Sequence, residues 1–81
     1  MSIRTLIVDD NPRFAREAGY LLQEEGMDLL GHAADGEEAV RLARALRPDL
    51  ALVDIDLGAE SGLAVARRLC EEQDGSLAGA V

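Results

Sequence analysis

The sequence predicts an α/β fold in which a parallel sheet carries helices on both faces. Three observations lead there. Short apolar runs alternate with helical patterns of about ten to fourteen residues, in the order βαβαβα. The run Leu50–Val53 is continuously apolar rather than alternating, as expected of a strand covered on both faces. Two of the three runs stop on acids, Asp9-Asp10 and Asp54, at the strand ends where open α/β sheets bind their ligands. Such alternation implies right-handed crossovers.

The elements follow in order. Ile3–Val8 is a β-rich run closed by Asp9 and Asp10. Asn11-Pro12 then offers an N-cap and a first-turn proline, so a helix starts there. Its apolar positions Phe14, Ala18, Leu21 and Leu22 recur at helical spacing as far as Glu25, and Gly26 stands where a left-handed terminating residue belongs. Met27–Ala33 is a weaker apolar run, short enough for a strand. Asp35 can cap a second helix from about Glu37 to Leu46, with Ala39, Val40, Ala43 and Leu46 inward and Pro48 as its stop. After the third strand, Gly58 and Gly62 bracket a loop. Leu63, Ala66, Leu69 and Cys70 mark a third helix ending near Glu72, followed by a turn signal at Asp74-Gly75. No internal repeat, linker or low-complexity tract interrupts the pattern, so 1–81 reads as one unit or part of one.

Composition narrows the function. Apolar residues at 48% and charged residues at 30% describe a globular chain, although 81 residues can build only a thin core. The net charge of −8 argues against direct contact with nucleic acid or an anionic membrane. Lysine is absent, so chemistry that needs one must find it elsewhere. The lone Cys70 forbids an internal disulfide and fits a reducing cytoplasm, and nothing near the N-terminus is apolar enough for a signal peptide or transmembrane helix.

The acids carry the chemistry. If the first and third strands are neighbours, Asp9, Asp10 and Asp54 converge and repel one another unless a cation intervenes. Oxygen ligands select a hard divalent ion, Mg²⁺ or Mn²⁺. A carboxylate beside such an ion can also act as nucleophile and accept a phosphoryl group.

Ile7-Val8-Asp9-Asp10-Asn11-Pro12, then Leu52-Val53-Asp54-Ile55-Asp56-Leu57, resembles a response-regulator receiver domain of the CheY-like, flavodoxin-like kind. Gly62 sits where that family places the glycine before its third helix, and Asp35-Gly36-Glu37-Glu38-Ala39 resembles its usual second-helix opening. The resemblance implies a strand order 2-1-3, Asp54 as phospho-acceptor, and Asp10 as a direct Mg²⁺ ligand. It also implies that Asp9 acts mainly through water and that the backbone carbonyl of Asp56 completes the protein's share. A sensor histidine kinase or phosphotransfer protein would donate the phosphoryl group, and an output would be controlled by it. Where the family commonly has Met-Pro, Leu57-Gly58 stands here, a change expected to loosen the loop and leave the acids untouched.

The family also places a Thr or Ser after a fourth strand and a Lys after a fifth. Three β/α units take up residues 1–81, so the chain reads as the N-terminal portion of a receiver, with the fourth and fifth units and any output domain absent. Phosphorylation of this chain alone is therefore expected to be slow or absent. The chain is expected to dimerise through the apolar edge of the third strand or the Ser76–Val81 tail, to swap elements, or to be poorly folded. Two other readings stand beside this one. A receiver fragment that no longer signals could serve as an interaction surface. Alternatively, Asp54-Ile55-Asp56 resembles the Asp-x-Asp signature of haloacid-dehalogenase-like phosphatases, with Asp54 as nucleophile and Asp56 as general acid. His32 reads as a structural residue away from the acids, and Cys70 as an apolar filler. Arg41, Arg44 and Arg47 read as a solvated helix face.

Overall fold

The structure is a computed structural model that describes residues 2–72. Its elements are β1 (Arg4–Val8), α1 (Pro12–Glu24), β2 (Asp28–Ala33), α2 (Gly36–Leu46), β3 (Leu50–Val53), β4 (Asp56–Leu57), β5 (Glu60–Ser61) and α3 (Gly62–Glu72). The Asp74-Gly75 turn signal and the Ser76–Val81 tail lie outside the described residues.

β1, β2 and β3 form a parallel sheet in the order 2-1-3, so the two acid-ended strands are neighbours. Side chains alternate across β1. Leu6 and Val8 enter the main core with Ala39, Val40 and Ala43 of α2, Ala51 and Val53 of β3, and Val65 and Leu69 of α3. Ile7 faces α1 on the other side.

Local devices start and stop the helices. Asn11 Oδ1 accepts the N–H groups of Arg13 and Phe14 at 3.0 and 3.4 Å, and Asp35 Oδ1 accepts that of Glu38 at 2.8 Å. Gly26 takes a positive φ of 86° after α1, where a side chain would be strained. At the end of α2 the Arg4 guanidinium donates to the carbonyls of Leu46 and Arg47, two of the orphan acceptors of a helix C-terminus.

Several expectations need correction. α1 does not bury Phe14 or Leu21, which are 61% and 63% exposed; it buries Ala15 and Gly19 instead. The helix lies so near the sheet that a Cβ at Gly19 would stand 2.8 Å from Leu29 Cδ2, and small residues win that face. In α3, Leu63 points outward and Val65 takes the buried place. β3 is not covered equally on its two faces: Ala51 and Val53 are buried, Leu50 and Leu52 only half-buried. On the less covered face, Ile7, Ala18, Leu52 and Ile55 help line a cleft of about 330 Å³ that reaches Asp9 and Asp54.

The segment expected to be an open loop is a hairpin. β4 pairs antiparallel with β5, Asp56 opposite Ser61 and Leu57 opposite Glu60. Gly58, at φ 72°, is the first of the two residues between them, as in a type II′ turn. Leu57-Gly58 thus stands at the head of a two-residue turn, with Gly58 supplying its positive φ.

Candidate functional site

The site is built where β1 and β3 end. Asp54 N donates to Val8 O at 2.9 Å, and Asp9 N donates to Ala33 O at 2.9 Å. These bonds extend both ladders by one residue and fix the backbones that carry the acids. One carboxylate oxygen from each of Asp9, Asp10 and Asp54 lies within 4.8 Å of the others, with Asp9 half-buried and Asp10 exposed.

Each acid has a local restraint. Asp9 Oδ1 accepts Asn11 N–H at 2.9 Å, which commits one oxygen to the first turn of the chain beyond β1. Asp54 Oδ1 receives Asp56 N–H at 3.3 Å, a long contact, and Asp56 Oδ1 receives Gly58 N–H at 3.1 Å. Asp56 thus commits one carboxylate oxygen to its own turn. All the donors facing the cluster's centre are oxygens, and three anionic oxygens at this spacing fit a hard divalent cation such as Mg²⁺.

The glycines explain why this loop closes. Gly62 N donates to Ile55 O at 2.6 Å. A Cβ at position 62 would overlap the Asp54 carbonyl group, so only glycine lets α3 begin against the end of β3. Gly58 also reaches the acids, because a Cβ there would lie 3.4 Å from Asp10 Oδ2. Leu57-Gly58, where the family commonly has Met-Pro, thus stands next to the site, whose acids are all present.

His32 was expected away from the acids. Its Nε2 lies 2.8 Å from the Asp9 backbone carbonyl and, since a carbonyl only accepts, it is the donor. Ile7 pairs with His32 in the parallel register, so His32 stands beside the residues leading into Asp9. A register shift between Thr5 and Leu6 contributes to that placement, and no pattern within either strand announces it. Glu60 was likewise unmarked in the sequence; it bonds the first residue of α2.

A parallel sheet ordered 2-1-3, with a cluster of acids beyond the carboxyl ends of its first and third strands, defines a class: the doubly wound α/β domains, which bind ligands at that end of the sheet. Sequence and structure comparisons narrow the class. The family model of the response regulator receiver domain matches residues 5–78, and the chain belongs to that family. Among relatives, a protein-glutamate methylesterase/protein-glutamine glutaminase of Alkalilimnicola ehrlichii is 36% identical over 74 residues, which is 90% of this chain and 19% of that protein. The transcriptional regulatory protein PdtaR of Mycobacterium tuberculosis is 33% identical over 70 residues, 86% of this chain and 34% of that protein. Among solved structures, the signal receiver domain of a modulated diguanylate cyclase from Desulfovibrio desulfuricans superposes with a TM-score of 0.82 at 42% identity, covering 98% of this chain and 62% of that one. The chain thus spans about a fifth to a third of these curated relatives. Receiver domains are signalling domains of two-component response regulators, and this membership replaces the phosphatase reading of Asp54-Ile55-Asp56. No helix among the described residues is long and apolar enough to cross a membrane.

Proposed function

We propose that this chain is the N-terminal portion of a receiver domain in which Asp54 accepts a phosphoryl group from a sensor histidine kinase or a phosphotransfer protein, and so controls an output. The observation that carries the reading is the meeting of three carboxylate oxygens within 4.8 Å at the ends of adjacent parallel strands. Like charges at that spacing repel, and a bound divalent cation would relieve the repulsion.

Asp10 and Asp54 would hold Mg²⁺ or Mn²⁺ directly, Asp9 through water, and Asp56 through its backbone carbonyl. The ion, when bound, supplies positive charge to the oxygens of an incoming phosphoryl group. The protein's own residues prepare the acceptor. Asp56 N–H engages Asp54 Oδ1 and so leaves Oδ2 to attack phosphorus, and the Val8 ladder bond fixes the backbone behind it. Asn11 N–H fixes Asp9. The chain contains no lysine to pair with the phosphoryl oxygens, so transfer to these 81 residues alone is expected to be slow.

The test is incorporation of hydroxylamine-labile phosphate from acetyl phosphate or a kinase into the protein that carries this chain. Asp54→Asn should abolish the label and Asp10→Ala should reduce it strongly. Label that survives in Asp54→Asn would refute Asp54 as the acceptor.

A further inference from the structure

We propose that Glu60 is a positioning residue for the acceptor loop, a latch that ties the β4–β5 hairpin to the amino end of α2. The proposal rests on the reading of Asp54 and Asp56 given above. Glu60 Oε2 accepts the N–H of Gly36 at 2.9 Å, in a partly buried contact across 24 residues of sequence. Gly36 is the first residue of α2, so this N–H has no partner within its own helix, and a carboxylate there also meets the positive end of the helix dipole. Neighbouring amides are served locally: Asp35 takes that of Glu38, and Glu38 takes that of Ala34. Glu60 supplies from a separate element what a capping residue supplies from its own. The approach is close, because a Cβ on Gly36 would stand 2.5 Å from Glu60 Oε1 and 2.9 Å from Val65 Cγ2.

The hairpin that Glu60 anchors adjoins the acid site. Its first residue, Asp56, donates its N–H to Asp54 Oδ1, a Cβ on Gly58 would stand 3.4 Å from Asp10 Oδ2, and the residue after the hairpin, Gly62, bonds Ile55 next to Asp54. The turn contacts of Asp54 and Asp56 are internal to the loop and cannot set its place relative to β2 and α2. The Glu60–Gly36 bond can. It spans from β5, across the Leu57–Glu60 pair, to the helix beside the second strand.

The experiment compares Glu60→Gln, whose carboxamide oxygen still accepts from Gly36, with Glu60→Ala, in this chain. Amide hydrogen exchange is read at Gly36 and across residues 56–62, and Mn²⁺ binding by electron paramagnetic resonance. Glu60→Ala should speed exchange at Gly36 and in the hairpin by about tenfold, the scale of a hydrogen bond to a charged acceptor, and weaken Mn²⁺ binding several-fold. Glu60→Gln, which keeps the acceptor and loses only its charge, should fall between wild type and Glu60→Ala in both. A folded Glu60→Ala variant with unchanged hairpin exchange overturns the latch, and so does Glu60→Gln behaving like Glu60→Ala. If the wild-type chain fails to bind Mn²⁺, the metal reading fails, while exchange still decides the latch.

Discussion

Replacing Gly62 by alanine tests the closest approach that an added Cβ would make at any described glycine. An added Cβ would overlap the Asp54 carbonyl oxygen and stand 2.6 Å from its carbon and 2.7 Å from Ile55 Cα. All three are backbone atoms, so no side-chain rotation relieves the clash. Either the end of β3 or the first turn of α3 must move by roughly 1.5–2 Å to restore ordinary contact distances. Overpacking of this kind costs about 1–3 kcal/mol, and a clash with backbone belongs at the upper end. A loss of about 3 kcal/mol lowers the melting temperature of a domain this size by roughly 12–24 °C. Gly31→Ala is the control, because a Cβ there meets only Leu46 Cδ1 at 3.8 Å, an ordinary contact. The assay is thermal unfolding by circular dichroism with a Mn²⁺ titration of each variant. Gly62→Ala should melt far below Gly31→Ala and bind Mn²⁺ less tightly. If the two variants melt within about 4 °C of each other, the argument from close approach is refuted.

Three other predictions follow from the same geometry. Asp10→Ala should remove most divalent-cation binding yet leave the ion-free fold as stable as wild type or more so, since it deletes an exposed like charge from the cluster; calorimetric titration and thermal melts in chelator check both halves. Asn11→Ala should cost about 1 kcal/mol by leaving the Arg13 and Phe14 amides uncapped, seen as a fall of roughly 4–8 °C in melting temperature, and an unchanged melt would assign no energy to the cap. The outer edge of β3 is unpaired among the described residues, so the chain should self-associate at micromolar concentration; a monomer in sedimentation with a cooperative melt would count against it.

What could be read from the sequence, and what could not, divides by range. Asn11-Pro12, Gly26 and Asp35 act on their own backbone or on amides within three residues, so their effects are visible in a short window. The strand order became legible only through the spacing of Asp10 and Asp54 and the motifs around them. The inward face of α1 was misread because apolarity favours Phe14 and Leu21, whereas the short distance to β2 admits only Ala15 and Gly19. His32 and Glu60 escaped for a related reason: each bonds a backbone group more than 20 residues away, and that pairing depends on a register shift or a hairpin that no local pattern encodes. The hairpin itself is only two residues per strand, too short for any periodicity to show.

The parallel sense of β1 and β3 is what converts two distant sequence motifs into one site. Val8 pairs with Val53, so the acids that follow each strand emerge at the same edge. Were β3 reversed, its final acid would leave the sheet at the opposite edge, about 13 Å away for a strand of four residues at roughly 3.3 Å per residue. No cation could then bridge the two motifs, and no repulsion would need relief. The topology therefore creates the electrostatic cost together with the chemical opportunity. The ladder bonds of Asp9 and Asp54 hold the acids in place against that cost, because backbone bound into a sheet cannot splay as a free loop would. Asp10 is exposed and lies one residue beyond the ladder. Two acids on ladder-held backbone and a third outside it would suit the proposed site, which must stay assembled while a cation binds and a phosphoryl group arrives.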